Sequence, residues 1–107
     1  MSASQRAKGA AGEREFCAFL RAHGFELAGR VLGQARDGGG DIALPPMLYE
    51  VKRYHKIAVR KWLDQAVQSM VNYKGSEIPC VAMREDGRAE WMVLMRAEDL
   101  MKLLRLS

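Results

Sequence analysis

Apolar and polar positions along the chain alternate between two periods. Over residues 10–23 Phe16, Phe19, Leu20 and the small Cys17 recur at i, i+3, i+4 spacing, which predicts a helix closed by Gly24. Residues 26–32 read as a short strand, and residues 33–40, with Gly33, Gly38, Gly39 and Gly40 beside Arg36 and Asp37, as an exposed loop. Residues 41–44 and 47–54 form a hairpin around Pro45-Pro46, because proline donates nothing to a ladder and marks the turn. A second helix over residues 58–72 carries Val59, Trp62, Leu63, Ala66, Val67, Met70 and Val71 on one stripe, with Arg60, Lys61, Asp64, Gln65 and Gln68 opposite. Residues 78–83 and 90–95 follow as strands around the turn signal Asp86-Gly87, and residues 97–104 close the chain as a short apolar helix. The predicted order is α-β-β-β-α-β-β-α. Residues 1–9, small and basic, read as a flexible arm, and residues 10–107 as one domain.

Charge sharpens this picture. Net charge is +4 over 107 residues, but eleven Lys/Arg and six Asp/Glu fall in residues 1–61, against six and seven in residues 62–107. The basic excess therefore lies in the first part, which favours a polyanionic partner. Cys17 and Cys80 stand alone in apolar stretches without metal-ligand spacing and are expected as buried free thiols. No run approaches the ~20 apolar residues of a membrane span, and residues 1–12 lack a signal-peptide core. A soluble, cytoplasmic protein with no membrane partner is expected.

The chemistry concentrates in residues 39–52. With Pro45-Pro46 as the turn, Leu44 faces Met47, Ala43 faces Leu48, Ile42 faces Tyr49 and Asp41 faces Glu50. Period-two alternation then puts Asp41, Glu50 and Lys52 on one face. Opposed carboxylates repel unless something positive lies between them, and Mg²⁺ is commonly held by one or two carboxylates plus phosphate oxygens. Lys52 is placed to orient a water or offset charge on a phosphate. The plainer alternative is an exposed strand face with a loose Glu50–Lys52 ion pair. Glu13, on the helical face of Phe16, Cys17 and Leu20, starts on the inward side, and its alternative role is a favourable first-turn charge. Lys52, Arg53, His55, Lys56, Arg60 and Lys61 form a basic run with no acidic residue inside it.

A helix bearing Gly12-Glu13-Arg14-Glu15-Phe16, then Gly40-Asp41-Ile42, then Tyr49-Glu50-Val51-Lys52 resembles the PD-(D/E)XK nuclease superfamily. The pattern is most similar to the small archaeal-type Holliday-junction resolvases and their bacterial and phage relatives. The resemblance covers most of the chain, with Gly40 standing where the family's name has proline. It implies a restriction-endonuclease-like α/β core with a central mixed sheet flanked by helices. It also implies a Mg²⁺-dependent endodeoxyribonuclease, with Mn²⁺ as a substitute, acting on branched DNA in recombination and repair. Asp41 and Glu50, with the Val51 carbonyl, would hold the metal; Lys52 would position the attacking water; Glu13 would complete the site.

DNA-backbone contacts are expected from Arg6, Lys8, Arg14, Arg36, Arg53, Lys56, Arg60 and Lys61, with Gln65 as an accessory candidate. A homodimer would match a two-fold four-way junction, with part of the apolar runs 91–95 and 100–104 as its interface. Three readings stay beside this one: a nuclease of the same fold acting on flaps, nicks or duplex ends, a non-catalytic DNA-binding module, and a structural protein that assembles through its apolar C-terminal helix.

Overall fold

A computed structural model describes residues 3–31, 41–71, 73 and 75–106, those of 3–6 by their backbone alone. The elements are α1 (Ala3–Ala22), β1 (Gly29–Arg30), β2 (Ile42–Leu44), β3 (Met47–Tyr54), α2 (Val59–Ser69), β4 (Ile78–Glu85), β5 (Met92–Leu94) and α3 (Ala97–Leu106). The order is the one the periodicity predicts. The strands form a five-stranded mixed sheet, β1-β2-β3-β4-β5, in which only β3 and β4, joined through α2, run parallel.

The hairpin register is also as expected: Leu44 pairs with Met47, Ala43 with Leu48 and Ile42 with Tyr49 across the Pro45-Pro46 turn. Alternation along β3 and β4 separates two apolar layers. Tyr49, Val51, Cys80 and Ala82 face α1, where they join Phe16, Cys17, Leu20 and Ile42, and Trp91, Met95 and Leu103 pack against the same cluster. The Phe16 ring meets Tyr49 edge-on at 4.9 Å and Trp91 at 5.0 Å. On the other side Tyr54, Val81 and Met83 pack against Trp62 and Ala66 of α2. Both cysteines are buried free thiols.

Two expectations need correction. Residues 3–9 are not a loose arm but the first turns of α1, since an alanine-rich run tolerates Gly9 and Lys8 is tied to Asp86 at 2.6 Å. The first strand shrinks to Gly29–Arg30, because residues 25–28 form a turn closed by the Ala28 N–H on the Phe25 carbonyl. The closing apolar runs divide: Trp91, Met95 and Leu103 turn inward, while Met92, Val93, Leu100, Met101 and Leu104 are exposed. The end of α1 follows its sequence signal closely. Gly24 adopts φ 96°, its N–H donates to the Arg21 carbonyl and the Phe25 N–H to the Leu20 carbonyl, which together satisfy the last helical carbonyls.

No helix among the described residues is long and apolar enough to cross a membrane. The loop at residues 33–40, including Arg36, and the Arg6 side chain lie outside the described residues.

Candidate active site

Asp41 is the best-anchored of the candidate residues. Its N–H donates to the Tyr49 carbonyl at 2.8 Å and its own carbonyl accepts the Val31 N–H at 2.9 Å, so its backbone is joined to the strands on both sides. The ladder of β2 ends at Ile42, which leaves the Val51 N–H of β3 in need of an acceptor. The Asp41 side chain supplies it: Oδ2 accepts that N–H at 2.8 Å, in a residue only 6% exposed. The carboxylate therefore lies against the β3 backbone between Glu50 and Lys52. It does not simply stand off one face with them, as strict alternation would have it.

Glu50 and Lys52 alternate with Val51 and project from the side of the sheet that carries Tyr54 and α2. Lys52 Nζ lies 3.7 Å from Glu50 Oε1, with both side chains partly sheltered. Glu13 comes from the other side. Its carboxylate, buried under α1, accepts from Arg30 Nε at 3.2 Å and Nη2 at 3.1 Å, both on Oε1. Arg30 in turn pairs with Ile42 across β1 and β2. The three acidic candidates thus reach the start of β2 from different directions. Among the described residues no three His, Cys, Asp or Glu side chains are grouped closely enough to hold a metal ion. Asp41 and Glu50 on neighbouring strands, with the main chain of Val51 between them, remain the pair of hard oxygen donors.

The basic candidates divide by what they touch. Arg14, Lys56 and Lys61 are exposed, and Arg60, also exposed, donates to Asp64 one helical turn on. Arg53 is committed to the fold: Nη1 donates to Glu15 at 2.9 Å and Nη2 to Asp86 at 3.2 Å, while its Nε is buried without a partner. Arg84, which the sequence reading did not single out, meets the second oxygen of Glu15 at 2.5 Å and stacks over Trp91. Lys8, Asp86, Arg53, Glu15 and Arg84 so form one continuous ionic chain. Its hydrogen bond from Lys8, with the charges of Lys8 and Arg53, lowers the pKa of Asp86. Gln65 is exposed on α2, opposite the buried Trp62, Leu63 and Ala66.

Two groups are unfitted for nucleophilic work. Burial, and then the negative charge of Asp99, push the Cys80 thiol up to about 12; burial does the same to the Tyr49 hydroxyl, also to about 12. Asp99 itself is 1% exposed and takes bonds from Arg96 and Lys102, a buried α3 carboxylate that a polar-face reading of a short helix does not reveal. Arg30 went unnoticed for a related reason. In sequence it is one more arginine in a short strand, and only the packing of α1 on β1 brings Glu13 to it. Compared with family models, curated proteins and solved structures, the chain matches none.

Proposed function

We propose that this chain is a divalent-metal-dependent DNA endonuclease of the PD-(D/E)XK type, selective for branched DNA such as the four-way junction. The observation that carries the reading is the hydrogen bond from the Val51 N–H to Asp41. It fixes the aspartate of one strand against the Glu-Val-Lys segment of the next, and hence holds Asp41, Glu50 and Lys52 within one hairpin. The donor set fits Mg²⁺, which takes hard oxygens and keeps several waters beside one or two carboxylates. Asp41, Glu50 and the Val51 carbonyl would hold it. Bound there, the ion supplies Lewis acidity toward a phosphodiester and lowers the pKa of water.

The protein's own groups do the rest. Asp41, with Oδ2 committed to the Val51 N–H, has little freedom to rotate, so its carboxylate is ordered in advance. Lys52 brings a positive charge beside Glu50, where it can orient water and offset charge gathering on phosphoryl oxygens. Arg14, Lys56, Arg60 and Lys61 give exposed positive charge for the DNA backbone. Preference for branched DNA rests on the resemblance to resolvases. A homodimer would match the two-fold substrate, and exposed Met92, Val93, Leu100 and Leu104 are the surface available for it.

The test is cleavage of a four-way junction, a flap and a linear duplex side by side, with and without Mg²⁺, with Asp41→Asn as the blank. Paired symmetric nicks in the junction, dependent on Mg²⁺ and absent in the variant, are expected. Preferred cutting of flap or duplex would reassign the substrate. Binding with no Mg²⁺-dependent product would remove the enzymatic reading and leave a DNA-binding module.

A further inference from the structure

Arg30 is the residue whose geometry exceeds the role of counter-ion. A guanidinium has five N–H donors arranged in two forks, and when it serves only to neutralise a carboxylate it commonly meets both oxygens through one of them. Here the side fork, Nε and Nη2, closes on the single oxygen Oε1 of Glu13. The end fork, formed by Nη1 and the second hydrogen of Nη2, takes no partner among the described residues. The side chain is 26% exposed while that of Glu13 is 4% exposed, so the arginine runs from a buried anchor toward the surface. Its position is next to Asp41: Arg30 pairs with Ile42, and the following residue, Val31, donates its N–H to the Asp41 carbonyl.

We propose that Arg30 binds a DNA backbone phosphate beside Asp41 through its end fork, and that Glu13 is the positioning residue that holds it there. The inference deepens the nuclease reading and rests on it. A planar end fork matches two phosphate oxygens, which a lysine cannot reproduce as a point charge. The buried Glu13 anchor restricts the side chain in advance, so less entropy is lost on binding. The role also accounts for Glu13 without asking it to reach the Asp41–Glu50 pair from the far side of the sheet. Positive groups then flank Asp41 on both sides, Arg30 from β1 and Lys52 from β3.

The experiment measures affinity for a fluorescent four-way junction across a salt series in EDTA, where cleavage is suppressed, beside cleavage in Mg²⁺. Arg30→Gln is expected to weaken binding by about 10- to 100-fold and to flatten the slope of log K against log salt by about 0.9, the value of one lost phosphate contact. Arg30→Lys keeps the slope and loses part of the affinity. Glu13→Ala, which removes the anchor, loses part of the affinity while keeping the slope, Glu13→Gln, which retains an oxygen acceptor, recovers part of that loss, and the double variant Glu13→Gln/Arg30→Gln behaves like Arg30→Gln alone; full wild-type affinity in Glu13→Ala would overturn the positioning role. An unchanged slope in Arg30→Gln overturns the inference, as does recovery of affinity in the double variant, which would make Arg30 a mere neutraliser of Glu13. Junction cleavage by the wild type together with an unchanged slope removes the inference and leaves the nuclease reading standing. A flattened slope with no Mg²⁺-dependent product does the reverse. Arg30→Lys keeps the Glu13 pairing, so it decides the matter if Arg30→Gln fails to fold.

Discussion

Two glycines three residues apart in α1 should respond to alanine with opposite signs. Gly9 and Gly12 both lie inside a helix, where glycine costs about 0.5–1 kcal/mol relative to alanine through backbone entropy. At Gly9 an added Cβ meets nothing within 4 Å, so Gly9→Ala should collect that gain. At Gly12 the same Cβ would lie 2.8 Å from Arg53 Cγ, with Val51 Cγ1 at 3.7 Å, an ordinary contact. Carbon atoms rest at about 3.5–4.0 Å, so the Arg53 stem must retreat by roughly 1 Å. It cannot do so without loss, because its head is tied to Glu15 at 2.9 Å and Asp86 at 3.2 Å. Overpacking of this kind costs about 1–3 kcal/mol. The strained ion pairs, partly exposed and screened, add little to this. Subtracting the helical gain leaves Gly12→Ala destabilised by about 1–2 kcal/mol, which in a domain of this size lowers Tm by about 5–10 °C. Gly9→Ala should raise it by several degrees. Thermal unfolding followed by circular dichroism reads both. The control is Gly12→Ala in an Arg53→Ala background, where the obstructing stem is gone and the alanine becomes neutral or favourable. If Gly12→Ala stabilises the otherwise unchanged protein as Gly9→Ala does, the close packing of α1 on β3 through Arg53 is refuted.

Two further outcomes follow from the site and the core. Asp41→Ala strands the Val51 N–H without an acceptor at a cost of about 1–3 kcal/mol, whereas Asp41→Asn keeps an amide oxygen in place and costs about 1 kcal/mol or less; urea midpoints should separate the two variants although both abolish cleavage, and equal midpoints would mean the bond is not made. Because burial raises Cys80 from 9.0 and Tyr49 from 10.0, each to about 12, the folded state favours their protonated forms. That contribution to stability is complete below pH 9 and is lost as pH rises toward 12. Urea midpoints should therefore fall over that alkaline range, and less steeply in Cys80→Ala. A thiol reagent at pH 8 should modify Cys80 only on unfolding; rapid labelling of the native protein would contradict its burial.

Local signals accounted for much of the architecture. The stripe of Trp62, Leu63 and Ala66, the turn chemistry of Pro45-Pro46 and Asp86-Gly87, and Gly24 after the first helix each act within a few residues, which is why element order and the hairpin register could be read directly. The shared face of Glu50 and Lys52 was legible for the same reason, since alternation is a property of one strand, whereas the turn of the Asp41 carboxylate onto the Val51 N–H was not, because the ladder ends at Ile42. The ionic chain from Lys8 to Arg84 was not either, because Glu15 and Arg84 are 69 residues apart and meet only when α1 packs on the sheet. The same holds for Arg53: a basic residue in a basic run suggests a DNA contact, but alternation turns it to the α1 side, opposite Lys52, where Glu15 and Asp86 claim it. The displaced start of α1 has a tertiary cause as well. A short segment of small and basic residues has weak helical signals of its own, and the Lys8–Asp86 contact becomes available only once β4 and its turn are in place.

The charges around Asp41 carry a last consequence. Arg30 pairs with Glu13 and Lys52 with Glu50, so the formal charges of the five side chains Glu13, Arg30, Asp41, Glu50 and Lys52 sum to −1. A cluster of three uncompensated carboxylates would repel a phosphodiester and destabilise the hairpin; a residue of one negative charge does neither strongly. Addition of a divalent cation would turn that −1 into +1, reversing the sign of the field where a phosphate must approach. On the proposed nuclease reading, the paired cations would let the same pocket tolerate its acids without metal and attract DNA with it. On this account Lys52→Met should bind non-hydrolysable phosphorothioate DNA more weakly than wild type at low salt both without and with a divalent cation, because its charge runs from −2 to zero where the wild type's runs from −1 to +1, while the rise on adding the cation is of similar size in the two; equal affinities of the two proteins would refute the charge argument.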